Sequence, residues 1–228
     1  YINLLDQKEP TLNFKNEAIN ELVLDLRYNI GGGSFAKDIA SLASIITGQY
    51  ADEVLIKEQW NSKAQPWFEA NQPDSLLTKF PAKLNVNIDF NSIQITDVYI
   101  VLNGANFSGS SAIELLINSL KPYINVHVIG TNTAGNNTAS ITLYDSTDYN
   151  FPLKNETHTI ALQPIVLSLF NKDDKTYENG FTPKIPLCFN EDVLNLGILG
   201  ERTEPILEKV LEAITSGETI TNAACNPY

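Results

Sequence analysis

Glu21-Leu22-Val23-Leu24-Asp25-Leu26-Arg27 is followed by Tyr28-Asn29-Ile30-Gly31-Gly32-Gly33 and then by Ser34-Phe35-Ala36. The first seven residues are a short apolar run that ends in charge, which reads as a strand. The three glycines read as a turn. Beyond them, Phe35, Ala36, Ile39, Ala40, Ala43 and Ile46 recur at helical spacing, with Ser34 placed to cap and Gly48 to stop the helix. The unit is strand, glycine loop, helix. The glycines have three readings: a turn that needs positive φ, a phosphate cradle, or a row of N–H groups facing a developing negative oxygen. The cradle is the weakest, because no Walker lysine follows and the Gly-x-Gly-x-x-Gly pattern is not met.

The same alternation returns further on. Val98 to Leu102 reads as a buried strand, Ser111 to Leu120 as a helix ended by Pro122, and Asn125 to Ile129 as another strand. Strands alternating with helices imply βαβ units and a largely parallel sheet, hence an α/β fold. Ile141 to Tyr144 and His158 to Leu169 read as strands of a more β-rich C-terminal part. Near the end, Thr203 is the expected cap of a helix with Pro205 in its first turn. Ile206, Leu207, Val210, Leu211 and Ile214 form its apolar face, and Gly217 closes it. Residues 49–92, with Trp60, Trp67, Phe68, Phe80 and several prolines, read as an irregular, aromatic-rich insertion. No internal repeat is present.

The chain has 228 residues, 43% of them hydrophobic and 18% charged, so it can bury a large core as one or two domains. A net charge of −12 argues against nucleic acid, since little here could neutralise phosphates, and against an anionic membrane surface. No apolar run reaches the length of a membrane span. The chain starts at Tyr1, contains no methionine and opens on no signal peptide. That reads as a processed chain or a fragment. Cys188 and Cys225 are the only cysteines, and His127 and His158 stand far apart, so no metal site and no cofactor are expected. The two cysteines are either free thiols or one disulfide. Their position bracketing the C-terminal segment favours the disulfide, worth about 3–4 kcal/mol in the chain-entropy model. His127 reads as an ordinary structural or surface histidine.

Ser111-Ala112-Ile113-Glu114 fits a capping box, in which Ser111 and Glu114 satisfy backbone donors at a helix start. A functional reading uses the same geometry. A serine at a helix N-terminus lies at the positive end of the dipole, beside N–H groups able to hold an oxyanion.

Four stretches together carry a family resemblance. Asp25-Leu26-Arg27-Tyr28-Asn29-Ile30-Gly31-Gly32 resembles the Asp-Leu-Arg-x-Asn-x-Gly-Gly signature of the C-terminal processing, or tail-specific, serine peptidases. Ser111-Ala112-Ile113-Glu114 resembles their Ser-Ala-Ser-Glu nucleophile motif. Ile129-Gly130-Thr131-Asn132-Thr133-Ala134-Gly135-Asn136 resembles their Gly-Glu-x-Thr-x-Gly-Lys segment, and Asn179-Gly180-Phe181-Thr182-Pro183 their Gly-x-x-Pro segment. The matches run in family order from about residue 20 to 186.

The resemblance implies a crotonase-like (ClpP/crotonase) α/β domain and a serine-type endopeptidase that acts on envelope proteins. It implies Ser111 as nucleophile and an oxyanion hole from the N–H of Ala112 and of Gly31 or Gly32. The family's base is a buried neutral lysine. Asn136 stands at that position, twenty-five residues after Ser111, and Ser140 stands where many members place a glutamine that orients the lysine. An asparagine amide has no basic nitrogen, so it can orient a hydroxyl but cannot deprotonate one. Two functions follow. One is a serine peptidase working on polypeptide. The other is a pseudopeptidase that binds a peptide or other ligand without cutting it. The expected organisation is a lead-in over 1–20 from an upstream region, a peptidase-like domain over 21–217 and a tail over 218–228. The expected location is the periplasm, cell envelope or extracellular space.

Overall fold

The computed structural model describes residues 21–29, 36–85, 88–89, 94–102, 110–186 and 197–216. In chain order the first elements are β1 (Glu21–Asp25), α1 (Ala36–Thr47), β2 (Val54–Trp60), α2 (Gln65–Asn71), β3 (Leu77–Lys79), β4 (Lys83–Asn85) and β5 (Ile88–Asp89). There follow β6 (Asp97–Val101), α3 (Ser111–Leu120), β7 (Asn125–Gly130), β8 (Thr138–Ser140) and β9 (Leu143–Tyr144). The last are β10 (Ala161–Leu162), β11 (Ile165–Asn171), β12 (Ile185–Pro186) and α4 (Pro205–Ser216).

Strands β1, β6, β7 and β12 form a parallel sheet in the order β1-β6-β7-β12. Their apolar residues serve two faces, as a sheet covered on both sides requires. Leu22 and Leu24 of β1, Val98 and Ile100 of β6, and Val126 and Val128 of β7 join the main core with α1 and α3. Val23, Tyr99, Val101 and Ile129 face the other way, against Ile206, Val210 and Ala213 of α4. The strand, helix and crossover readings of the sequence therefore hold for these elements. The α/β class is that of the βαβ pattern.

A second sheet, antiparallel with order β3-β2-β11-β8, packs on the far side of α1 and α3. Here the sequence reading needs correcting. Residues 49–92 are not irregular where they are described: β2 is an inner strand of this sheet, paired Trp60↔Leu167 through Ile56↔Asn171 with β11. The aromatics that suggested a loop are its packing. Tyr50, Phe80 and Tyr123 form one cluster, with centroids 4.7 to 5.7 Å apart, and Trp60 stacks near Phe68 at 4.5 Å. The strand expected over His158 to Leu169 is two strands, β10 and β11, and β11 runs on to Asn171.

Helix α3 lies between the two sheets. Every residue from Ile113 to Leu120 is buried. A helix that is apolar nearly all round must be covered all round. Its polar residues are accounted for: Ser119 Oγ donates to Leu115 O at 2.7 Å, and Asn118 Nδ2 donates to Lys175 O at 2.9 Å. Only the first turn comes out of the core. Ser111 is exposed and Ala112 half-buried. The packing thus brings one end of one helix, carrying one serine, to the surface.

His127 is structural, as expected. Its ring stacks on Tyr99 at 4.6 Å, and its Nε2 lies 3.1 Å from Asp97 Oδ1. Burial works against the charged form of Asp97, but hydrogen bonds from His127, Thr96 and Asn125 outweigh it and hold the carboxyl below its ordinary range. A carboxyl lowered on folding adds stability in full above its unfolded value, about 3.9, and loses it as pH falls through the folded value. The urea midpoint of the wild type is therefore expected to fall more steeply than that of Asp97→Asn between about pH 5 and pH 2. Parallel slopes would show that this pair does not contribute.

Candidate active site

Ser111 is the first residue of α3, and the capping role expected of it belongs to its neighbour. Ser110, extended at φ −89° and ψ 160°, accepts from Ile113 N at 3.4 Å. That is the usual bond from an N-cap side chain to the third helical amide. Glu114 does not reach back to close a capping box. It is fully buried, and its carboxylate leaves the helix to accept Gly135 N at 2.6 Å and Asn136 N at 2.8 Å. Both departures have the same effect: the Ser111 hydroxyl is released from structural duty. Among the described residues it makes no hydrogen bond. At the start of a helix the first amides have no intrahelical acceptor, so the N–H groups of Ser111 and Ala112 point outward at the positive end of the dipole.

The segment that carries Asn136 is held from two sides. Glu114 is one. The other is the turn at 177–181, where Thr133 N donates to Phe181 O at 3.1 Å and Phe181 N donates to Thr133 Oγ1 at 2.7 Å. Two glycines let the chains meet. Gly135, at φ +88°, comes so close that a Cβ would stand 2.2 Å from Glu178 O, and Gly180, at φ +69°, so close that one would stand 2.2 Å from Thr133 O. The third and fourth motifs of the sequence are thus two halves of one contact.

The Asn136 side chain is exposed and bent over its own loop. Its Oδ1 accepts from Thr138 Oγ1 at 3.0 Å and from Thr138 N at 3.4 Å. No hydrogen bond joins it to Ser111 among the described residues. Ser140 ends β8, exposed, opposite Ile165. Gly31 and Gly32 lie outside the described residues, as do Cys188 and Cys225. The structure therefore brings the Ser111 helix and the Asn136 backbone together through Glu114.

The first motif is anchored from below. Arg27 is buried, with Nε donating to Asp25 Oδ1 at 2.9 Å, one terminal nitrogen 2.6 Å from Asp25 Oδ2 and the other 3.3 Å from Glu204 Oε1. Burial opposes the guanidinium charge, but Asp25 and Glu204 more than offset it and raise the pKa above its ordinary value. Glu204 also accepts Leu207 N at 2.6 Å. It, and not Thr203, caps α4 with its side chain, because a carboxylate there meets both the helix N-terminus and Arg27.

Sequence reasoning missed Glu204 and the role of Glu114. The signal for Glu114 was present: a single carboxylate within Ile113-Glu114-Leu115-Leu116-Ile117 must be buried, and a buried carboxylate needs donors. Among the described residues no group of three or more His, Cys, Asp and Glu could hold a metal ion. Nor is any helix among them long and apolar enough to cross a membrane.

The family model that describes peptidase family S41 matches residues 6–185. The chain belongs to peptidase family S41. A putative S41 protease from Bacteroides fragilis has a similar solved structure, with 26% identity and a TM-score of 0.67 over 88% of this chain and 46% of that one. This chain therefore spans less than half the length of that protein. Two more distant solved structures are a photosystem II D1 C-terminal processing protease and a lipoprotein from Streptococcus agalactiae. The first has 18% identity and a TM-score of 0.46, covering 75% of this chain and 35% of that one. The second has 20% identity and a TM-score of 0.47, covering 76% and 52%. Both are too distant to bear on the chemistry. No curated protein sequence matches the chain.

Proposed function

We propose that this S41 domain engages polypeptide chains at Ser111 as a serine-type, tail-specific peptidase site whose proton-abstraction step is crippled. The observation that carries the reading is the exposed Ser111 hydroxyl at a helix start, freed from capping, with the segment of residue 136 docked on the same helix through Glu114. In such a site Ser111 Oγ attacks a peptide carbonyl. The N–H of Ala112, with that of Gly31 or Gly32, holds the oxygen that becomes negative. The hydroxyl proton must leave as the bond forms, and Asn136 has no basic nitrogen to receive it. Removing a general base costs about 10²–10⁴-fold. Neither histidine stands in: His127 stacks on Tyr99, on the sheet face that packs against α4 and not α3, and His158, half-buried, pairs with Asp145. Ser140 occupies the place from which the family orients its base. In this reading the fold is the crotonase-like peptidase domain with a β-rich C-terminal part. The protein works in the cell envelope or outside the cell, where a Cys188–Cys225 disulfide persists.

Asn136 favours a second reading, a binding module that holds peptide without cutting it. One experiment separates the two. The chain and Ser111→Ala are incubated with casein and with a labelled peptide, and cleavage and anisotropy are measured together. The expected result is binding with hydrolysis just above background that disappears in Ser111→Ala; binding with no Ser111-dependent hydrolysis would favour the binding module. Robust wild-type cleavage lost in Ser111→Ala would show that another base exists. Absence of both binding and cleavage would remove the polypeptide reading.

A further inference from the structure

Glu114 is a buried carboxylate at the end of the first turn of α3, and its described hydrogen bonds go to two successive amides of another segment, Gly135 and Asn136. Two neighbouring N–H groups converge on one anion where the chain turns into a concave nest, and Gly135 supplies such a turn at φ +88°. Bonds of 2.6 and 2.8 Å to an anion are of the short, charge-assisted kind. The carboxylate side of these bonds is closed to solvent, with Glu114 at 0% exposure, while the amide side at 135–136 borders the surface. The Tyr177 hydroxyl is buried without a hydrogen-bond partner among the described residues, and its deprotonation is disfavoured by burial and by the Glu114 charge. Because the carboxylate itself is fully buried, releasing either amide leaves a buried charge short of a donor.

We propose that Glu114 is a positioning residue: it fixes the main chain at 135–136, and so sets where the side chain of residue 136 stands relative to Ser111, three residues before it on the same helix. This rests on the reading of Ser111 and position 136 as the reacting pair. The contact between Gly180 and Thr133 closes the mount from the opposite side. Glutamine is the informative replacement. It keeps the shape but offers one acceptor and turns an NH₂ toward the other amide, so it holds one N–H and repels the second.

The test has two arms. In the first, amide hydrogen exchange is followed by NMR in the wild type, Glu114→Gln and Glu114→Ala. Gly135 and Asn136 are expected to exchange slowly in the wild type. At least one should be about 10- to 100-fold faster in Glu114→Gln, and both in Glu114→Ala. The amides of Leu116 and Leu120 should stay protected, which reports an intact helix, and the glutamine variant keeps the test alive if alanine does not fold. In the second arm, Glu114→Gln is added to Asn136→Lys, where cleavage is expected. It should lower kcat about 10-fold or more and leave KM within about twofold, because a misplaced base affects chemistry before binding. Unchanged exchange at both amides in both variants would overturn the proposal, as would a raised KM at constant kcat. If Asn136→Lys alone shows no Ser111-dependent cleavage, the peptidase reading falls, and the exchange arm still decides the mount.

Discussion

Asn136→Lys is expected to raise hydrolysis of casein about 10²-fold above the wild type at pH 9, with the gain abolished in Asn136→Lys/Ser111→Ala. On the proposed reading the substitution puts an amine at the position of the base, on a segment already docked to the helix that carries Ser111. The pH at which it acts follows from exposure. A lysine works as a base only when neutral, and burial is what lowers its pKa from about 10.4. Position 136 is exposed, with its side chain turned toward Thr138 rather than into the core. A lysine there keeps most of its charge at pH 7, so the rate should climb with pH toward the lysine's own pKa. A buried, tuned lysine would instead reach its plateau near neutrality. Rate profiles from about pH 6 to pH 10 on the single and double variants measure this. No gain anywhere in that range, or a gain that survives Ser111→Ala, would sink the assignment of the pair.

The parts legible in the sequence were those where one local rule decides. β1, β6, β7 and α3 are apolar runs of one period, and their bounds in the structure agree within a residue or two with the periodicity. The serine was legible too, but its release from capping was not. Ser110 and Ser111 are both plausible caps by composition, and only the burial of Glu114, a tertiary fact, assigns the task to Ser110. β2 was hidden because its residues, Val-Leu-Ile-Lys-Glu-Gln-Trp, show no alternation and are followed by Pro66, Pro73 and Pro81. Its partner β11 lies more than a hundred residues away. Pairing at that distance leaves no mark in a local window. The same holds for Glu204 and Arg27, and for Gly135 and Gly180: each pair is explained by a neighbour that the chain reaches only after folding.

Arg27→Ala is expected to cost about 3–5 kcal/mol of stability, the largest loss predicted for any single substitution here. Both charges of the Arg27–Glu204 pair are buried, at 2% and 4% side-chain exposure, so each depends on the other for what water no longer supplies. Truncating the arginine leaves Glu204 with Leu207 N as its remaining described donor. It also leaves Asp25 without the nitrogens that hold it at 2.6 and 2.9 Å, but Asp25 is nearly half exposed and recovers its hydration. The cost therefore falls mainly on Glu204. Glu204→Gln should lose less, about 1–2 kcal/mol, because it keeps an acceptor for the helix cap while Arg27 retains Asp25. The order of the two effects is the diagnostic. Urea unfolding at pH 7 of the wild type and both variants supplies it. A cost for Arg27→Ala below that of Glu204→Gln would mean that the pair is hydrated and that Arg27 serves Asp25 alone. The predicted order has a consequence for the site. Arg27 joins the end of β1 to the first turn of α4, immediately before the residues through Gly31 and Gly32 that the peptidase reading assigns to the oxyanion hole. At denaturant concentrations where Arg27→Ala is still folded, its peptide affinity should already be lower than that of Glu204→Gln.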